Sequence, residues 1–105
     1  MMKTIRYQLA LAAVLAISCA AGFAQAAGEA TYKTKCQSCH GPNGVPSAGM
    51  VKMMGVKPAA DPDMKKLTVA QMTESIKNGK GKMKPIAGLT DEQIKDVIAY
   101  FRSLK

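Results

Sequence analysis

The sequence predicts a small all-α domain of three main helices whose long loops wrap around a bound group. Three observations predict it. Two capped segments carry apolar residues at helical spacing, and no useful stretch alternates as a strand requires. Two long irregular segments rich in Gly and Pro separate the helices, and such loops in so small a domain are expected to enclose something.

The chain has 105 residues, enough for one domain, and the folding part is shorter. Residues 1–26 read as a secretory signal peptide. Lys3 and Arg6 form a basic start, Leu9 to Ile17 an apolar run, and Ala24-Gln25-Ala26 a small-x-small cleavage site. The apolar run is short for a bilayer span, so no stable membrane insertion is expected after cleavage. The expected destination is the periplasm. Ala16-Ile17-Ser18-Cys19 offers a weaker alternative, a lipid anchor at Cys19. Cleavage after Ala26 leaves residues 27–105, a single domain of 79 residues. A core of that size needs a staple. With Cys19 removed only Cys36 and Cys39 remain, and a disulfide between them would close a loop too small to constrain the chain. The staple is therefore a cofactor.

The first helix is expected from about Gly28 into the Cys36–His40 stretch, which lacks Pro and Gly until Gly41. The second follows Thr68, an N-cap with Gln71 three residues on, and stops at Asn78-Gly79; Val69, Met72 and Ile76 mark its inner face. The third follows Thr90, with Asp91 and Glu92 in its first turn and Gln93 completing another capping box. Ile94, Val97, Ile98 and Phe101 give it one buried face, with Lys95 and Arg102 off it. Residues 41–63 and 79–88 read as loops, with one short helical turn after Asp61.

The formal charge is +8, or +6 without Lys3 and Arg6. A basic surface suits an acidic protein partner, an anionic membrane or nucleic acid. Export, the scarcity of aromatics and the absence of long basic runs argue against nucleic acid.

Cys36-Gln37-Ser38-Cys39-His40 carries the chemistry. A redox dithiol of the thioredoxin type needs a βαβ setting, which is missing. A structural zinc needs four Cys or His ligands and an iron–sulfur cluster four thiolates; the chain after residue 26 holds two Cys and one His. C-x-x-C-H is the attachment pattern of c-type haem. Positions 36 and 39 lie one helical turn apart on one side, so both thiols reach one porphyrin edge as thioethers, and His40 is carried under the ring as an iron ligand. Its second ring nitrogen is expected to donate to a carbonyl within residues 41–50. His40 is the only His, so the opposite axial ligand is sought among Met50, Met53, Met54, Met64, Met72 and Met83. Met72 reads as core. Met83, between Lys82 and Lys84 in a Gly-rich loop, is explained by no apolar pattern and is the leading candidate; Met50, Met53 and Met54 are its rivals.

Over residues 28–105 the chain resembles the small bacterial class I cytochromes c. Gly28, Tyr32 and Cys36 are similar to that family's spacing ahead of the haem motif, and Val97 and Tyr100 to its crossing positions on the last helix. GKMKPIAGLTDEQIKDVIAYFRSL resembles its Met-ligand loop and final helix, although Pro85 stands two residues after Met83 where many relatives have Met-Pro. The resemblance implies the class I cytochrome c fold around one covalent haem c. Cys36 and Cys39 would be the thioethers, and His40 and Met83 the iron ligands. It implies a monomeric one-electron carrier rather than an enzyme. Lys52, Lys80, Lys82 and Lys84 would steer it to acidic reductases, oxidases or dehydrogenases. A haem protein with an open or labile distal site, acting as a ligand sensor or peroxidase-like subunit, is the alternative. A copper chaperone using the soft Met, Cys and His donors fits the motif order less well.

Overall fold

The computed structural model describes residues 22–105. The basic start and apolar run of the signal peptide, and Cys19, lie outside the described residues. Six α-helices are present among the described residues. They are α1 (22–35), α2 (Gln37–His40), α3 (Ala48–Met54), α4 (Pro62–Lys65), α5 (Val69–Asn78) and α6 (Asp91–Ser103). A 3-10 turn, Pro42–Gly44, follows α2. There is no strand among the described residues, and one isolated β-bridge pairs Lys80 with Met83.

The three expected helices correspond to α1 with α2, α5 and α6. The first is broken at Cys36, which forms a turn between α1 and α2. Both capping boxes form. The Thr68 hydroxyl accepts from the Gln71 amide and the Gln71 side chain accepts from the Thr68 amide; Thr90 and Gln93 repeat the exchange. Each box satisfies two amides that a helix start would otherwise leave unpaired.

Helix α3 differs from the loop expected over 41–63. Ser47 caps it by accepting from the Met50 amide, and Gly55 closes it in the left-handed region at φ 67°. Gly49 and the brevity of the segment hid a helix whose start and stop residues were both present. Helix α4 is the short turn expected after Asp61, whose side chain accepts from the Asp63 amide. The Lys65 ammonium donates to the carbonyls of Arg102 (2.8 Å) and Leu104 (3.0 Å), satisfying acceptors at the open end of α6.

The core consists of Tyr32, Ala59, Met72, Ile76, Ile94, Val97, Ile98 and Phe101. The four α6 residues are those expected from its i, i+3, i+4, i+7 pattern. Burying each large apolar side chain contributes about 1.5–3 kcal/mol, so this face of α6 is the main apolar contribution to the fold. Helix α1 crosses α6 closely. A Cβ at Gly28 would collide with the Asp96 carbonyl and lie 2.9 Å from the Tyr100 Cβ, so only glycine permits this approach. One turn further along α1, Tyr32 packs its ring 5.4 Å from Tyr100 and 6.2 Å from Phe101. The crossing anticipated from Gly28, Tyr32, Val97 and Tyr100 is therefore present, and it places the end of α1 beside the core.

Candidate haem-binding site

Cys36, Cys39 and His40 follow directly from the α1–α6 crossing. Tyr32 is buried in the core, and the Cys36 amide donates to the Tyr32 carbonyl at 2.9 Å, so the motif begins one turn after the anchored ring. The two thiols are free and half-buried, and Cys36 packs against the core cluster. Burial, and to a lesser degree the neighbouring Cys39, raises the Cys36 pKa, so this thiol is neutral at pH 7.

The His40 ring stands edge-on to Phe101, with centroids 5.5 Å apart and planes at 76°. Burial lowers its pKa, which keeps the imidazole neutral and its lone pair free for a metal. Nδ1 is buried and has no partner. The expected donation to a carbonyl in 41–50 is not formed. Four carbonyls of that loop are engaged elsewhere: Gly41 by Tyr32 and Gly44, Pro42 by Val45, Gly44 by Ala59 and Ser47 by Val51. An unpartnered buried ring nitrogen costs about 1–3 kcal/mol, so this imidazole is arranged for a group beyond its own hydrogen-bonding neighbours.

Met83 is brought to the same core from the other end of the chain. Lys80 and Met83 exchange two backbone hydrogen bonds, each 3.0 Å, around Gly81 and Lys82. Gly81 takes φ 58° at the first turn position, as a tight II′-type reversal requires. The Ile86 amide donates to the Ile76 carbonyl at 2.8 Å and ties the segment back to α5. Met83 is half-buried against the core cluster. The Lys82 ammonium donates to the Met53 carbonyl at 3.0 Å and links this hairpin to the end of α3. Among the rivals, Met53 is 67 % exposed while Met50 and Met54 are half-buried. Met72 is buried on α5, as core packing demands, and Met64 packs against the same cluster. No cluster of three or more His, Cys, Asp or Glu side chains suited to a metal ion occurs among the described residues. No described helix is long and apolar enough to cross a membrane.

Residues 23–101 match the family cytochrome c oxidase, cbb3-type, subunit III. The chain belongs to this family of c-type cytochrome domains. The solved structure of the KustC0563 c-type cytochrome is similar, with a TM-score of 0.66 and 28 % identity over 74 % of this chain and 96 % of that one. A tyrosine-to-phenylalanine variant of Kustc0563 gives a TM-score of 0.64 and 27 % identity over 74 % of this chain and 98 % of that one. No curated protein matches the chain. The protein is thus an electron-transfer haem protein with the small cytochrome c fold, and its cofactor is covalent haem c with iron.

The residues present fit that group. Two free thiols one turn apart supply thioethers, and the Nδ1 of the adjacent imidazole has no competing hydrogen bond. Sequence reasoning did not foresee three supporting residues of the cytochrome. The periodicity of α6 marks Phe101 as core, and it also borders the His40 ring. Tyr32 occupies an aromatic position ahead of the motif, and its hydroxyl also donates to the Gly41 carbonyl. Gly79 stops α5, and it also admits the Met83 carbonyl, which a Cβ would approach to 2.6 Å.

Proposed function

We propose that this cytochrome is a periplasmic one-electron carrier with a single haem, attached through Cys36 and Cys39 and ligated by His40 and Met83. The observation that carries the reading is the packing of Cys36 and Met83, far apart in sequence, against one apolar cluster. Bound there, the haem supplies a one-electron ferric–ferrous couple. The chain does the rest. Cys36 and Cys39 tether the cofactor, and Phe101 borders the neutral His40 ring. The Lys80–Met83 hairpin presents a thioether, a ligand that favours the ferrous state and raises the potential. The core side chains keep water from that side.

Cleavage after Ala26 would leave residues 27–105 as the mature, monomeric domain. Its basic surface would dock transiently on acidic reductases and on a terminal oxidase or dehydrogenase. The test is the absorption spectrum and mass of the exported, matured protein. The expected result is one haem that stays on the chain under denaturing conditions, a mass beginning at Ala27, and a far-red sulfur-to-iron band in the oxidised state. A high-spin ferric spectrum with ready carbon monoxide binding by the ferrous form would replace Met ligation with an open site. Copper binding without haem would overturn the whole reading.

A further inference from the structure

The hairpin that carries Met83 is fastened on two sides. Toward α5, the Ile86 amide donates to the Ile76 carbonyl. Toward α3, the Lys82 ammonium donates to the Met53 carbonyl at 3.0 Å, across 29 positions of sequence. Among the described residues this is the only hydrogen bond between residues 79–88 and residues 41–67, and no ion pair joins the two segments. The acceptor is a group that needs a donor. Met53 lies in the last turn of α3, where carbonyls have no partner within the helix, and Gly55 then turns the chain away. Lys65 serves the end of α6 in the same way. The donor is placed by the hairpin itself. Lys82 stands between the two residues of the turn that the Lys80–Met83 exchange closes and the methionine, directly before Met83. The ammonium groups of Lys80 and Lys84, on either side, enter no hydrogen bond or ion pair among the described residues.

We propose that Lys82 is a positioning residue for Met83, its side chain a strap that holds the distal hairpin against α3. The proposal rests on Met83 being the iron ligand. A surface segment with few ties opens locally at little cost in free energy. Without the strap the hairpin keeps its tie to α5 alone, and Met83 leaves the distal side more often. A lysine kept only for its charge would serve equally well at 80, 82 or 84, so the bond to Met53 is what position 82 adds.

The experiment measures ligand exchange in the ferric holo protein with imidazole, a neutral probe whose approach is indifferent to a lost lysine charge. At saturating imidazole the binding rate reaches a limit set by departure of the native distal ligand. A parent without the far-red sulfur-to-iron band, or a Met83→Ala variant that keeps the parent's limiting rate, would remove Met83 as that ligand, separately from any effect of Lys82. With Met83 established, Lys82→Ala is expected to raise the limiting rate about fivefold or more, through loss of a hydrogen bond from a charged donor, while Lys82→Arg stays within about twofold of the parent. Lys84→Ala removes the same charge on the other side of Met83 and should leave the rate unchanged. A limiting rate in Lys82→Ala equal to the parent's, an equal rise in Lys84→Ala, or a rise in Lys82→Arg as large as in Lys82→Ala would overturn the proposal. A lower melting temperature with an unchanged limiting rate would likewise overturn it and leave Lys82 a part in stability alone. In the unaltered protein the Lys82 amine should react with an acylating reagent more slowly than those of Lys80 and Lys84, read by peptide mass spectrometry. Equal reactivity of the three would overturn the proposal even if the Lys82 variants failed to take up haem.

Discussion

Met83 depends on a residue four positions before it. Gly79 ends α5 at φ 78°, where a side chain is strained, and it also leaves room for the Met83 carbonyl to return over it and bond the Lys80 amide. Gly79→Ala therefore adds strain at the backbone and a contact at 2.6 Å, a combination that costs about 1–3 kcal/mol. It should weaken the far-red band and speed cyanide binding without removing the haem, measured by titration of the ferric protein. Met83→Ala removes the thioether itself. The band should vanish, the midpoint potential should fall, and the iron should bind cyanide or carbon monoxide readily. The same change at Met50, Met53 or Met54 should leave the band in place. Loss of the band from one of those three, with Met83→Ala retaining it, would move the ligand to α3, which the Lys82–Met53 bond places beside the hairpin.

At the scale of the helices, stability is concentrated at their starts and at one crossing. The Thr90 hydroxyl satisfies the Gln93 amide at the start of α6, which carries half of the core residues. Thr90→Ala should cost about 1 kcal/mol, lowering the melting temperature of a domain this size by about 4–8 °C, as read by circular dichroism at 222 nm. Gly in the same place should cost only a few tenths of that energy. A loss as large with Gly as with Ala would mean the cap is not what holds the helix. These caps were legible because capping boxes are local: Thr68–Gln71 and Thr90–Gln93 announce themselves within four residues. The buried face of α6 was legible for the same reason. Helix α3 was not, since Gly49 lowers its local helical preference and the segment is short; Ser47 and Gly55 settle its ends instead. The CxxCH motif was legible as chemistry, but the environment of His40 was not. Which carbonyls are already occupied in the loop after it depends on Tyr32, Ala59 and the α1–α6 crossing, contacts that no single stretch of sequence contains.

Across the whole molecule, the charges are unevenly compensated. Three ion pairs are present among the described residues. Glu29 pairs with Lys33 along α1, Asp63 with Lys57 beside α4, and Asp91 with Lys77 between α5 and α6. None involves Lys52, Lys80, Lys82 or Lys84. Lys82 is engaged by a neutral carbonyl, which holds its position and leaves its charge intact. Those four lysines, on α3 and around the Met83 hairpin, therefore keep their charge uncompensated beside the proposed distal side, and Lys35, Lys65, Lys66, Lys95, Arg102 and Lys105 likewise enter none of the three pairs. Lysines around one redox-active edge raise the encounter rate with an acidic partner and select its orientation, and that advantage decays as salt shortens the screening length from about 30 Å at 0.01 M to about 10 Å at 0.1 M. The stopped-flow rate of electron transfer to an acidic redox protein should fall about tenfold or more over that range of salt and above it. Charge reversal at Lys80 or Lys84 should lower the low-salt rate and flatten its salt dependence, whereas reversal at Lys33, whose charge is already paired with Glu29 on α1, should change it less. A rate insensitive to ionic strength, or one equally affected by Lys33→Glu and Lys84→Glu, would show that the hairpin and α3 lysines serve solubility and that the electron leaves by another face.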